Sequence, residues 1–276
     1  MKTKKHIFFA AAYVFLSAAA VFCLFPLLMA LMNSFKTNGE LLINVMSLPR
    51  QWKFDNYIRT LDKMHYFRSL INTVILAVCG VGMTVLFSAL AGWRLCRTKT
   101  RLSGFLFSLF VFSMLIPFSS IMIPLYRVVL AFGIKNSLLG LSLVYAGLGV
   151  SMAIFLYHGF VKGIPYELEE AAAIDGCGLF KTFFRVLMPL LTPITATVVI
   201  TNVLWVWNDF LLPLIVVSRN EKYTLLLSTN TLFGQYNSDW TAILSALILA
   251  AVPMILFYSL FQRRILQGIA DGAVKG

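Results

Sequence analysis

Eleven acidic residues and three histidines are the whole supply of acid–base groups in this chain, and their spacing favours no catalytic centre. His6, His65 and His158 are isolated, with no H-E-x-x-H pattern and no neighbouring Cys-His cluster. Cys23, Cys79, Cys96 and Cys177 show neither metal spacing nor an evident pairing, and two of them lie inside apolar runs where a small hydrophobic residue is at home. Glu169 and Glu170 are sequence neighbours and fall on different faces of a helix, which argues against an acid–base pair. No nucleophile elbow occurs, and no G-x-x-x-x-G-K-[ST] stretch that could cradle nucleotide phosphates. Two features remain. One is the acidic, alanine-rich stretch from Glu167 to Gly176, suited to gripping another protein; the other is Asp209, a single carboxylate set in an apolar run.

The elements that carry them are apolar to a degree that excludes an ordinary soluble domain. Hydrophobic residues make up 59% of the 276 and charged residues 12%, against about 45–50% and about 25% in soluble proteins. Six runs are long and apolar enough to cross a bilayer: Ile7–Met32, Ser69–Trp93, Gly104–Tyr126, Leu138–His158, Leu190–Val216 and Ala242–Phe261. Each must be helical, because the hydrocarbon core offers backbone groups no water. The expected class is therefore all-α, a polytopic membrane protein with six transmembrane helices. Lys2, Lys4, Lys5 and the later Ala18-Ala19-Ala20 resemble a signal peptide, but the apolar stretch runs on to Met32, so an uncleaved first span is expected.

Between the spans lie residues 33–68, 94–103, 127–137, 159–189 and 217–241, with tails at 1–6 and 262–276. An even number of spans places both tails on one side. That side would carry 13 Lys and Arg residues and the other 10, of which six are diluted over residues 33–68. The dense cluster Arg94, Arg97, Lys99 and Arg101 decides the orientation: both tails, residues 94–103 and residues 159–189 are expected to be cytoplasmic. The net charge of +12 is spread through short gaps, which suits anionic headgroups and not a nucleic acid.

Residues 159–189 read as two helices joined by a tight turn. Pro165 suits a first helical position, and Glu167, Glu169 and Glu170 complement the positive end of the helix dipole. Leu168, Ala171 and Ala172 share one face at 100° per residue, and Asp175-Gly176 supplies the stop. Two adjacent alanines allow a partner to approach closely; an amphipathic hairpin lying on the headgroups fits the same pattern. Asp209, near the end of the fifth run beside Trp205, Trp207 and Asn208, is the one acidic residue within a span. It suits either a translocation pathway or an interfacial aromatic belt in contact with water. Asn72, Thr73, Ser119, Ser120 and Asn202 could line a pathway or bond between spans, and Gly140, Gly147 and Gly149 read as close-packing positions.

The stretch Glu170-Ala171-Ala172-Ala173-Ile174-Asp175-Gly176, followed by Phe183, Arg185 and Leu187-Met188-Pro189-Leu190, resembles the EAA loop of permease subunits of ABC importers, with Cys177 in place of the usual alanine. Asn33-Ser34-Phe35-Lys36, Ile116-Pro117, Ile123-Pro124, Trp207-Asn208-Asp209-Phe210 and the ending Gly268 to Gly276 extend the resemblance to the carbohydrate-uptake type, and to the shorter, MalG-like member of its subunit pair. The resemblance implies a type I ABC importer permease fold with a core over residues 69–261 and a cytoplasmic coupling helix. It implies that Glu170, Ala171, Ala172, Asp175 and Gly176 dock on a cytoplasmic ATPase present in two copies, with the C-terminal tail reaching toward it. It also implies a longer MalF-like permease partner, and a solute-binding protein met by residues 218–240. ATP and magnesium would sit on the ATPase, and no cofactor on this chain. Asn72, Ser119, Ser120, Asn202, Trp205, Asn208 and Asp209 are the candidates for the pathway of a sugar or oligosaccharide. The competing expectation is a stand-alone secondary transporter of a polar solute, a class marked by internal repeats and intramembrane proton or ion relays; a membrane enzyme lacks any catalytic constellation.

Overall fold

The computed structural model describes residues 2–234 and 238–274, and among them every regular element is helical. Helix α1 spans Lys2–Ser34, with short α2 (Asn38–Ile43) and α3 (Asp55–Lys63) after it, then the long α4 (Tyr66–Arg97). Helices α5 (Arg101–Ser113), α6 (Phe118–Ala131), α7 (Leu138–Val161) and α8 (Glu167–Ile174) follow. A continuous run α9 (Leu179–Leu190) leads to α10 (Thr192–Asn208), α11 (Leu211–Val216), α12 (Leu225–Ser228) and α13 (Trp240–Val274). Among the described residues four helices are singly long and apolar enough to cross a membrane, and there are up to six spans if each bent pair counts as one.

Two of the runs expected from hydropathy are bent. The run Gly104–Tyr126 is not one rod: α5 and α6 meet at 107°. Pro117 has no N–H to give and forces the residue before it out of the helical region. The chain answers by tightening, with Met114, Leu115 and Ile116 donating to Val111, Phe112 and Ser113 three residues back before α6 starts. The run Leu190–Val216 is likewise divided, by a 78° bend between α9 and α10 and by an extended Asp209 between α10 and α11. Pro193 cannot donate to the carbonyl of Pro189; the Thr192 hydroxyl does so instead, at 2.7 Å. Within α9, Phe183–Leu187 widens into a π-helical turn just before Pro189, which moves the backbone away from the proline ring. The other expected runs are single helices whose ends extend a turn or so past the apolar core, α4 through Arg97 and α13 well beyond Phe261. Of the segment 217–241, residues 235–237 lie outside the described residues, as do residues 275–276 of the tail.

Two compact units share the chain. Met1–Phe67 with Ser228–Ile255 is built around polar side chains. In α1 the side chains from Tyr13 to Leu28 are mostly exposed and apolar, the face a lipid-bathed helix needs. Beyond it the pattern inverts: Asn33, Ser34, Lys36, Asn56 and Thr60 are buried, while Leu42, Ile43, Met46, Leu48 and Trp52 are exposed. The Lys36 ammonium donates to the carbonyls of Asn44 (2.9 Å) and Val45 (3.2 Å) and lies 3.4 Å from the Ser47 hydroxyl. Its burial pushes the ammonium pKa down from the ordinary value, against an opposing pull from Glu40. Asn56 donates to the carbonyls of Ser34 and Lys36, and a capping box of Thr37 and Glu40 starts α2.

Asp239 anchors the start of α13 in this unit. Its carboxylate accepts from the Ala242 backbone, the Thr241 hydroxyl and the Asn38 amide, and it lies 3.7 Å from both Arg59 and Lys63. Burial pushes its pKa up, but these donors and the Arg59 guanidinium outweigh burial and leave it below the ordinary 3.8.

The second unit, Arg68–Leu227 with Leu256–Gly276, packs α4, α7 and α10 around two apolar clusters. One gathers Leu76, Leu141, Tyr145, Val206 and Leu212; the other gathers Trp93, Tyr157, Phe183, Leu187 and Val198. Gly140 and Gly149 are close-approach sites, where an added Cβ would lie 2.6 Å from Ile134 and 2.7 Å from Asn202 respectively. Gly147 is not one of them; it faces open space.

Because its folded pKa lies below the ordinary value, Asp239 contributes stability above pH 3.8 that is lost as pH falls through the folded value. Asp239→Asn is therefore expected to lower the thermal midpoint in detergent at neutral pH, by about 1 kcal/mol or less since solvent screens both half-exposed cations. Tryptophan-monitored melts at stepped pH check this. Wild type and variant should converge only once pH falls below the folded value, itself under 3.8, and a gap that persists there refutes the assignment.

Candidate functional site: a polar hairpin and an intramembrane cleft

The hairpin begins where α7 ends at Val161, and it is shaped by its punctuation. Helix α8 runs for two turns and closes in a Schellman arrangement: the Gly176 N–H donates to the Ala173 carbonyl at 3.0 Å and the Cys177 N–H to Ala172 at 2.9 Å. Gly176 takes φ +77°, a conformation glycine adopts without strain. The chain then turns at Gly178 into α9.

The inward face of α8 carries a carboxylate. Glu169 and Ala172 are buried, whereas Leu168, Ala171 and Ile174 are exposed along with Glu170 and Asp175. A carboxylate tolerates that position because both its oxygens are met. Arg97 Nε donates to Oε1 at 2.7 Å and Trp93 Nε1 donates to Oε2 at 3.0 Å. Arg97 also donates to the Ile164 carbonyl at 2.8 Å and lies over the Tyr166 ring at 5.5 Å. Trp93 in turn packs on Phe183 of α9, ring centroids 5.3 Å apart. Sequence reasoning missed this cluster. Its one signal was the four-residue spacing of Trp93 and Arg97, which puts an indole donor and a guanidinium on one face of α4. The five candidate docking residues thus sit together on one two-turn helix and its cap; of them only Ala172 is buried, and the outward surface continues in exposed Leu179 and Phe180.

The intramembrane candidates separate into three groups. Asn202 and Trp205 share a cleft of about 490 Å³ with Ser113, Ser151, Thr201 and Gly147, at the bend between α5 and α6. Ser113 and Ser151 face each other at 2.7 Å, the Asn202 amide donates to Val198, and Trp205 stands edge-on to Tyr145, centroids 5.3 Å apart. Such a wall mixes hydroxyls, an amide and an indole face. Ser119 and Ser120 are exposed in the first turn of α6, just past the bend. Asn208 is exposed at the end of α10 with its amide donating to Leu204.

Asp209 forms the second group with Tyr145. The buried Tyr145 hydroxyl donates to Oδ2 at 3.0 Å, and Oδ1 accepts from the N–H groups of Leu211 (3.0 Å) and Leu212 (3.3 Å). The carboxylate caps α11 as α10 ends. Asn72 is the third case: it is buried, and its amide donates to the carbonyls of Glu221 and Tyr223, both at 2.9 Å. Beside it the Thr73 hydroxyl accepts from the Leu225 N–H at 2.8 Å. This pair holds the loop before α12 instead of facing the cleft. Among the described residues no group of three or more His, Cys, Asp or Glu side chains could hold a metal ion.

Comparison with known proteins adds sequence and fold. Residues 84–271 match the family of binding-protein-dependent transport system inner membrane components. The chain is 39% identical over 252 residues to a probable starch degradation products transport system permease, AmyC, of Thermoanaerobacterium thermosulfurigenes, covering 91% of each. It is 32% identical to the multiple sugar-binding transport system permease MsmG of Streptococcus mutans over the full length of both. In fold it superposes with TM-score 0.80 on a chain of a bacterial ABC transporter that imports the acidic polysaccharide alginate, at 20% identity and with 94% of this chain and 97% of that one covered.

Removing the Asp209 carboxylate deprives α11 of its cap and the Tyr145 hydroxyl of its acceptor. Asp209→Ala is expected to cost roughly 2 kcal/mol, while Asp209→Asn, which keeps one acceptor oxygen, costs less. Combined with Tyr145→Phe, the loss should fall short of the sum of the single losses by about 1 kcal/mol. Thermal unfolding of the wild type and these four variants in one detergent decides; strict additivity would mean the two groups do not interact.

Proposed function

Since the chain belongs to the inner membrane components of binding-protein-dependent transport systems, we propose that its α8 hairpin is the seat of a separate cytoplasmic ATPase and its cleft part of a sugar pathway. The protein is a membrane-embedded permease subunit of an ABC importer, one component of a transport system and not an enzyme. That family membership sets aside the stand-alone secondary transporter.

The observation that carries the hairpin's role is the way α8 divides its residues. A two-turn helix with one face pinned by a buried ion pair leaves Glu170, Ala171, Leu168 and Ile174 outward, with Asp175 and Gly176 closing it. Exposed small and apolar residues flanked by a carboxylate suit a concave protein partner better than water. ATP and magnesium then belong to that partner, in two copies, and a longer permease subunit completes the pathway. Both tails and the hairpin are cytoplasmic in this reading, in keeping with the Arg94–Arg101 charge cluster. The helical end of α13 lies on the same side, toward the ATPase pair, and residues 218–240 face the binding protein. ATPase closure moves the hairpin as a rigid body, and with it the spans joined to it, α7 and the α9–α10 pair.

For the substrate, the starch-product and multiple-sugar permeases among the relatives favour a neutral oligosaccharide. The cleft supports this. Trp205 offers an apolar ring face, and Ser113, Ser151, Thr201 and Asn202 offer hydroxyl and amide partners without a formal charge. Ser119, Ser120 and Asn208 extend the same polar character, while Asp209 and Asn72 hold the frame.

Import into membrane vesicles tests the reading. Uptake should require internal ATP and the partner subunits, and should ignore a proton ionophore at constant ATP. Glu170→Lys combined with Gly176→Pro should abolish uptake while the subunit remains in the membrane at its normal level; uptake at the wild-type rate would refute the docking assignment. Trp205→Ala should weaken uptake most at low sugar and leave the association with the ATPase intact.

A further inference from the structure

The chain connects the hairpin to α7 on one side and to α9 on the other, so α4 has no covalent share in its movement. The side chains supply one. We infer that Glu169 is a positioning residue that fastens α8 to the cytoplasmic end of α4, so that a push on the hairpin displaces three spans together and not two. The inference rests on the hairpin being the ATPase seat.

Four features of the geometry carry it. Both oxygens of Glu169 are occupied, and both donors, Arg97 Nε and Trp93 Nε1, come from the last turn and a half of α4. The pair is shielded: side-chain exposure is 9% for Glu169 and 15% for Arg97, so a lost partner would leave a charge stranded in a poorly solvated place. Arg97 does not hold α8 at one point only, because it also bonds the Ile164 carbonyl and covers Tyr166 on the approach to the helix. Trp93 extends the fastening to α9 through Phe183, whose side chain is fully buried. Without these contacts α8 would be a two-turn helix on a turn at Gly163-Ile164-Pro165 and a glycine cap at Gly176, free to pivot at both ends. The outward residue Glu170 and the inward residue Glu169 thus have separate duties: one meets the partner, the other transmits to α4.

The test uses the complete complex purified from its native membrane and placed in lipid nanodiscs, with the four natural cysteines replaced by serine or alanine. Spin labels go on Arg94→Cys in α4 and Glu167→Cys in α8, both exposed positions outside the proposed docking set. In the otherwise unaltered protein the inter-label distance should stay narrow and unchanged between the nucleotide-free complex and the complex trapped with ATP and vanadate. In Glu169→Gln the distribution should broaden at least twofold and shift on trapping, although the ATPase subunits still co-purify. The charge swap Glu169→Arg with Arg97→Glu should recover part of the narrowing, which a general loss of packing would not allow. A distance that shifts on trapping in the unaltered protein, or that stays narrow and fixed in Glu169→Gln, overturns the inference. If Glu169→Gln fails to accumulate, Arg97→Lys is read in the same way: broadening supports the fastening and an unchanged narrow distance overturns it. Failure of the ATPase to co-purify with the unaltered subunit would instead strike at the docking assignment.

Discussion

A helix that loses a backbone donor inside a bilayer has no water to take its place, and this constraint shapes the second unit. At Pro117 the chain tightens and turns through 107°, and the cleft opens at that turn. At Pro193 the hydroxyl of Thr192 takes over the orphaned carbonyl of Pro189, and the chain bends by 78° into α10. At Asp209 the helix stops altogether, and the carboxylate itself supplies the acceptor for the next helix. Each interruption is thus met by backbone or side-chain polar groups close by: the cleft lies at the first, the turn from α9 into α10 at the second, and the start of α11 at the third.

The same requirement explains the inverted segment that follows α1. With Asn33, Ser34, Lys36, Asn56 and Thr60 inside, the stretch 33–60 is held by hydrogen bonds to its own backbone together with the packing of Phe35 on Trp52, Phe54 and Tyr57. Its aliphatic side chains are left outward. Lys36 there resembles a bound cation in its effect, gathering the carbonyls of Asn44 and Val45 around one ammonium.

How far the sequence reveals this protein depends on the range of the interaction. Spanning helices follow from composition and length alone, because the bilayer imposes them residue by residue, and the stop at Gly176 follows from local backbone chemistry. The bends were harder. Hydropathy averages over Pro117 and Asp209; the missing N–H of a proline marks the first break and a carboxylate able to cap a new helix marks the second. Pairings between distant helices were not legible. Arg97 counts toward the orientation of the chain, and nothing local marks it as the partner of Glu169, 72 residues away. Tyr145 reads as one more large residue in an apolar helix until Asp209 is found beside it, and Asn72 looks like a pathway amide until two loop carbonyls claim it. The inward turn of Glu169 was hidden for the same reason: a carboxylate goes inside only when its counter-charge is already waiting.

The matched geometry of Trp93, Arg97 and Glu169 bears on how such permeases can be recombined. A hairpin transplanted from a relative keeps this fastening only if it brings a carboxylate at the place of Glu169 to meet Trp93 and Arg97. Where it brings none, residues 93–97 have to be exchanged together with the hairpin, so the unit of exchange becomes a discontinuous pair of segments and not the loop alone.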